Sequence, residues 1–236
     1  MGTFIRKFDM TDLTKYYNDI HESGKIPDAH INYLNTIDYS ASVVYDIGAA
    51  VLHWTREATK KWPTAEFFVF DAVHQLEDFY KEKNVNYFIG VFSDVDDREV
   101  NFYNHPIYLG GNSYYKENEE YSPAAKQIYT EEVVEKRRTI TIDTIVKTHN
   151  LPLPDLVKID TQGSEIDILN GMTYTLSNVK HLIVELQHVQ YNIGANLMDV
   201  SIPFIESLGF ELSHASESNK YFSGNGPDAD YHFIKK

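Results

Sequence analysis

The chain has 236 residues and a mass of 27.2 kDa, contains no cysteine, and carries a formal charge of −14 from 21 Lys plus Arg against 35 Asp plus Glu. Its length suits one large α/β domain, and a 42 % hydrophobic content with 17 tyrosines and 13 phenylalanines provides for a sizeable core, so whole-chain disorder is excluded. The absence of cysteine excludes disulfides, thiolate zinc sites and a cysteine nucleophile, and the acidic balance argues against sequence-independent binding of nucleic acid or anionic membrane.

The opening residues lack the apolar core of a secretory signal, and no apolar run approaches the ~18 residues of a membrane span, so a soluble, cytoplasmic protein is expected. Residues 1–40 read as a helical lead-in: Leu13, Tyr16, Tyr17 and Ile20 share one face of a helix over Thr11–Ser23, and Ile31, Tyr33, Leu34 and Ile37 form a second apolar cluster. Residues 41–236 read as a single domain, because no repeat, linker or low-complexity tract divides them.

From Val43 the chain alternates strand and helix. Val43-Val44-Tyr45 is a short strand ending in Asp46-Ile47-Gly48, and Leu52–Lys61 is a helix closed by Trp62-Pro63. Glu66–Phe70 is a buried-type strand ending in Asp71, Gln75–Lys83 a helix, and Val85–Val91 a third strand leading to Ser93-Asp94. The pattern then loosens into an exposed strand, Glu99–Tyr103, and a long loop containing Gly110-Gly111 and the acidic run Glu117–Glu120, which reads as solvated. Alternation resumes with a strand at Arg138–Ile142, a helix at Asp143–His149 and a strand at Asp155–Ile159. A helix at Ser164–Leu176, a strand at His181–Glu185, a helix at Val200–Leu208, a strand from Gly209-Phe210 and a last strand at Asp230–Ile234 complete the series. The expected fold is α/β: a mostly parallel sheet of about seven strands, with helices on both faces and an antiparallel last strand.

In such a sheet, ligands bind beyond the carboxyl ends of the strands, and there the chain places Asp46 with Gly48, Asp71, Ser93 with Asp94, Asp160 and Glu185. A carboxylate ending an apolar strand is costly unless it is solvated, paired or used. Asp71, 25 positions after Asp46, stands where an acidic side chain can accept ribose hydroxyls. Neither a second and third glycine nor a Gly-Lys-Ser/Thr loop follows Gly48, which disfavours a pyrophosphate and with it a nicotinamide oxidoreductase. A cofactor with ribose and no phosphate fits better, and S-adenosylmethionine, whose sulfonium suits an acidic site, is of that kind.

The blocks VVYDIGAA, FFVFDAV, GVFSDVDDREVNFY with GGNSYY, TIDTIV, DLVKIDTQGSEIDILNG and LIVELQHVQYN resemble the FkbM-type methyltransferases from about Val43 to Lys236. The resemblance implies a class I methyltransferase fold, S-adenosylmethionine as donor, and O-methylation of a hydroxyl, often on a sugar or glycan. It also implies that Asp46, Gly48 and Ala49 lie along the methionine part of the cofactor, that Asp71 with Ala72 holds the ribose, and that Ser93 and Asp94 hold the adenine. Asp160 would then stand next to the methyl group. Two blocks depart from the pattern: Ala50 and Leu52 replace a common Asn and a further Gly, and Asp71-Ala72 replaces Glu-Pro.

Removing the proton of a sugar hydroxyl falls to Asp160, Glu185 or His188, the last being suited to general-base work near neutral pH or, alternatively, a histidine at the core edge bonded to backbone. The same three residues could instead gather a divalent ion such as magnesium or manganese. Candidate substrate contacts are Asn112 and Ser113 in the long loop, Gln162 at the start of a helix, and Tyr191; neighbouring Glu165 would complement the helix dipole, and Trp54 would pack in the core. The competing class is a catalytically inactive module of the same fold that partners a glycosyltransferase in glycan synthesis.

Overall fold

A computed structural model describes residues 33–105, 109–122, 125–216 and 227–236. The helix expected over Thr11–Ser23 lies outside the described residues. The strands are β1 (Val43–Ile47), β2 (Glu66–Asp71), β3 (Asn86–Ile89), β4 (Val91–Phe92), β5 (Glu99–Tyr103), β6 (Val134–Ile140), β7 (Leu156–Ile159), β8 (His181–Gln187), β9 (Phe210–Ala215) and β10 (Asp228–Lys235). The helices are α1 (His53–Lys61), α2 (Glu77–Lys83), α3 (Ala125–Ile128), α4 (Ile142–His149), α5 (Glu165–Asn170) and α6 (Met198–Ser207).

Seven strands form one sheet in the order β3-β2-β1-β7-β8-β10-β9. The pairs from β3 to β8 are parallel, and β10 runs antiparallel to both β8 and β9. Alternating side chains serve two cores, as the period of two in a strand requires. On one face Tyr45, Ile47, Val157, Ile159, Leu182 and Val184 pack with Ile142 and Val146 of α4, Ile168 of α5 and Ile205 of α6. On the other, Val44, Leu156 and Ile183 meet Trp54 and Ala58 of α1, and the 3-10 turn Tyr33–Thr36 adds Tyr33 and Leu34. Val69 meets Phe79 and Tyr80 of α2 on that same side of the molecule. Both faces are therefore buried, which is why the central strands read as continuous apolar runs.

Local chemistry sets the element ends. Thr141 caps α4 by accepting from the Thr144 N–H, and Asn84 and Asn150 close α2 and α4 in the left-handed conformation that asparagine tolerates. Some elements differ from the sequence reading. The third strand breaks at Gly90: β4 leaves the main sheet and pairs in parallel with β6, which pairs antiparallel with β5, giving a separate three-stranded sheet, β4-β6-β5. The helix expected over Ser164–Leu176 stops at Asn170, with Gly171 packed so closely on Ser93 that an added Cβ would lie 2.0 Å from its carbonyl oxygen. Among the described residues, no helix is long and apolar enough to cross a membrane.

Candidate functional site

A cavity of about 460 Å³ opens beyond the carboxyl ends of β1, β2, β7 and β8. Its floor is formed by strand ends and the turns that follow them. Phe102 of β5 and the segment Leu109–Tyr114 contribute walls on the side of the smaller sheet.

The first turn is tightly constrained. Gly48 sits at φ +86°, and a Cβ there would lie 1.7 Å from the Asp160 carbonyl oxygen, so the β1 and β7 ends can meet only at glycine. Ala50 and Leu52, which depart from the family pattern in this turn, have φ of 43° and 63°. The left-handed backbone that Asn and Gly favour is thus kept by residues that adopt it at a cost. It is held by the Ala50 N–H donating to Asp71 Oδ2 at 2.8 Å and by the Tyr80 hydroxyl donating to the Ala50 carbonyl at 2.7 Å.

Asp71 is buried at the cavity wall, and its other oxygen accepts from the Val73 N–H at 2.8 Å. Backbone donors fix the carboxylate in place at the cavity wall. Burial pushes Asp71 up to about 6 against the pull of those donors. Asp46 is also buried, accepts from the Thr55 hydroxyl of α1, and is likewise pushed up to about 6 by burial, with Lys158 and the Thr55 bond acting the other way.

Lys158 is the hub of the second half of the site. The register pairs it with Asp46 across β1 and β7, and pairs Glu185 with Asp230 across β8 and β10. Lys158 Nζ lies 2.8 Å from Asp160 Oδ2 and 3.5 Å from Asp230 Oδ1, and all of these side chains line the cavity. Burial disfavours the ammonium, yet Asp160 and Asp230 hold its pKa well above the ordinary value. Glu185 is pushed well above the usual carboxylate range, first by burial and then by Asp160, Asp228 and Asp230. Gln162, at φ 57°, donates from Nε2 to Glu185 Oε2 at 2.8 Å and to Asp160 Oδ1 at 3.2 Å.

The candidate residues divide by placement. Asp46, Gly48, Ala49, Asp71, Ala72, Asn112, Ser113, Asp160, Gln162 and Glu185 line the cavity; Ser93, Asp94, His188 and Tyr191 are not among its walls. Ser93 Oγ instead receives Arg98 at 2.6 Å and contacts the Tyr114 hydroxyl at 3.0 Å, while Asp94 pairs with Arg98 at 2.8 Å. The Asn112 amide staples the loop, donating to Asn104 Oδ1 and the His105 carbonyl and accepting from the His105 N–H. His188 Nε2 lies 3.0 Å from the Tyr231 hydroxyl. The alternative reading of Asp160, Glu185 and His188 as a magnesium or manganese site is not matched by the geometry: among the described residues no group of three His, Asp or Glu side chains is gathered for a metal, and the Gln162 amide bridges the two carboxylates.

Glu165 does more than face a helix dipole: its Oε1 accepts from the Thr161 and Gly163 N–H groups at 2.9 and 3.0 Å, and burial pushes it up to about 7. Trp54 packs in the core and donates to the Tyr33 hydroxyl. Glu117, expected to be solvated, is buried at 1 % exposure because the loop folds onto the segment around Tyr191 and Asn192. Sequence reasoning missed Lys158 and Asp230. Lys158 shares its strand face with Asp160, two positions on, which was a usable signal, whereas Asp230 enters only through the antiparallel pairing of β10.

Comparison with known proteins matches residues 46–212 to the model of the FkbM methyltransferase domain. The hexuronic acid methyltransferase AglP of Haloferax volcanii is 41 % identical over 88 residues, covering 37 % of this chain and 35 % of that protein, so the match spans about a third of that curated relative. Among solved structures, an O-methyltransferase family protein from Burkholderia thailandensis superposes with a TM-score of 0.50 at 8 % identity, covering 97 % of this chain and 60 % of that one. A precorrin-6y C5,15-methyltransferase from Geobacter metallireducens superposes at 0.48 with 15 % identity, covering 89 % and 87 %.

Proposed function

The chain belongs to the FkbM methyltransferase family, and from that premise we propose that residues 41–236 are one domain that transfers the methyl group of S-adenosylmethionine to a hydroxyl of a sugar or glycan. The observation that carries the reading is the division of the cavity into two acidic halves, Asp46 and Asp71 at the ends of β1 and β2, and Asp160 and Glu185 beyond β7 and β8. The donor set fits this cofactor: buried carboxylates suit ribose hydroxyls and a cation, and the one Lys or Arg among the described wall residues, Lys158, is already engaged by Asp160 and Asp230.

S-adenosylmethionine, when bound, supplies an electrophilic methyl group on a sulfonium. Asp71 would accept the ribose hydroxyls, and the turn from Gly48 to Ala50 would lie along the methionine part. In this reading Asp160 takes the proton of the acceptor hydroxyl while Lys158 and Gln162 fix its two oxygens, so that proton removal and orientation are supplied by one side chain. The likeness to a hexuronic acid methyltransferase supports a saccharide acceptor, and an enzyme of glycan assembly would be its natural partner.

Calorimetric titration of S-adenosylhomocysteine into the purified chain tests the reading. Stoichiometric binding that survives chelator is expected; no binding at millimolar ligand overturns it.

A further inference from the structure

Gln162 is an unusual residue for its backbone. It follows the end of β7 at φ 57°, directly before Gly163 at φ 105°, so the chain makes two consecutive left-handed steps on leaving the sheet. Glycine or asparagine takes that conformation at less cost, and a glutamine held there implies a use for its side chain. The backbone delivers a single amide nitrogen to both Asp160 Oδ1 and Glu185 Oε2. An amide NH₂ can only donate, and it has two hydrogens, one for each oxygen.

Resting on the methyltransferase reading, we propose that Gln162 is the positioning residue of the acceptor half of the site: its amide bridges Asp160 and Glu185 and thereby fixes the direction in which the Asp160 carboxylate faces the acceptor hydroxyl. Lys158 anchors the other oxygen of Asp160 at 2.8 Å, so the two contacts together set the plane of the carboxylate. An uncharged donor is needed at this point. The charged groups acting on Glu185 are Lys158 on β7, Asp160 just beyond it, and Asp228 and Asp230 on β10, so a further carboxylate in place of Gln162 would add repulsion where three carboxylates already act against Lys158.

The test needs no known acceptor. Side-chain carboxyl carbons of ¹³C-labelled protein are followed by NMR across pH, free and saturated with S-adenosylhomocysteine, and the Glu185 signal is identified by its loss in Glu185→Gln. Gln162→Gly suits the left-handed backbone and removes only the donor. The Glu185 midpoint is expected to rise by about one pH unit in this variant, since a bond to the charged form is lost, while affinity for S-adenosylhomocysteine stays within about twofold of the parent. Gln162→Glu is expected to raise the midpoint further. A Glu185 midpoint that does not move in a Gln162→Gly protein still binding S-adenosylhomocysteine overturns the bridge. Failure of the unsubstituted protein to bind S-adenosylhomocysteine instead overturns the methyltransferase reading, and the titration of the free protein separates the two.

Discussion

The two ends of the main sheet treat buried polar groups in opposite ways. At the amino end, Asp155 receives the Tyr39 hydroxyl at 2.9 Å and the Ser42 and Val43 N–H groups at 3.1 Å, and His181 Nδ1 lies 2.9 Å from His232 Nε2 with the two rings stacked. At the carboxyl end, Asp46, Asp71, Asp160, Glu185 and Asp230 line a cavity, and Lys158 contacts Asp160 and Asp230 there. Polar groups answered by the chain itself hold strands together; carboxylates crowded around a void cost stability and are kept for what enters it.

The sharpest way to break the contrast is Gly48→Ala. The added methyl would collide with the Asp160 carbonyl at a left-handed residue, so about 3–4 kcal/mol of stability should be lost in urea denaturation, together with S-adenosylhomocysteine binding. Asp155→Ala, at the other end, should cost about 1–3 kcal/mol of stability by removing the acceptor of the Tyr39 hydroxyl and of the partly buried Ser42 and Val43 N–H groups, yet leave S-adenosylhomocysteine affinity unchanged. Asp71→Ala should also cost stability, because it orphans the Ala50 and Val73 N–H groups, but unlike Asp155→Ala it should weaken S-adenosylhomocysteine in calorimetry by about 1.5–3 kcal/mol, the range for hydrogen bonds to a charged group. An unchanged dissociation constant would make Asp71 a backbone clamp alone.

Protonation separates the ends as well. Asp46 and Asp71 sit near 6 in the fold, above the ~3.9 of an unfolded aspartate, so their contribution is full in acid and is lost as pH rises through that interval. Burial, with His181 and His214 adding to it, holds His232 down at about 4, below the ~6.5 of an unfolded histidine, so its contribution is full at neutral pH and is lost as pH falls. The measured slope of stability between these limits is the difference of the two. Asp46→Asn should tilt it toward greater stability at higher pH, and His232→Gln should tilt it the other way. The smallest effect is expected of Ala50→Gly, which relieves a left-handed alanine and should gain at most about 1 kcal/mol in urea denaturation.

The strand ends were legible because an apolar run closing on an acid is a local pattern: β1, β2, β7 and β8 emerge within one or two residues of their expected limits, and the antiparallel last strand follows from their order. The smaller sheet was not legible. β4 is only two residues long, and β6 runs from Val134, well before Arg138, with a burial pattern set by β5 rather than by its own periodicity. Where α5 stops, Gly171 packs directly on Ser93, a contact between residues far apart in sequence that a local pattern does not show. For the same reason the acids facing the cavity could be read from strand ends, whereas the engagement of Ser93 by Arg98 and the removal of His188 to Tyr231 could not.

The insertion of β10 between β8 and β9 bears on when this molecule becomes competent during its synthesis. Until residues 228–235 emerge, β8 and β9 each present an open ladder to whatever strand is nearby, a hazard for a chain still attached to the ribosome. The same strand delivers Asp230 beside Lys158. Closure of the sheet and completion of the acidic centre are therefore one event, and a nascent chain that has made every other strand still lacks both.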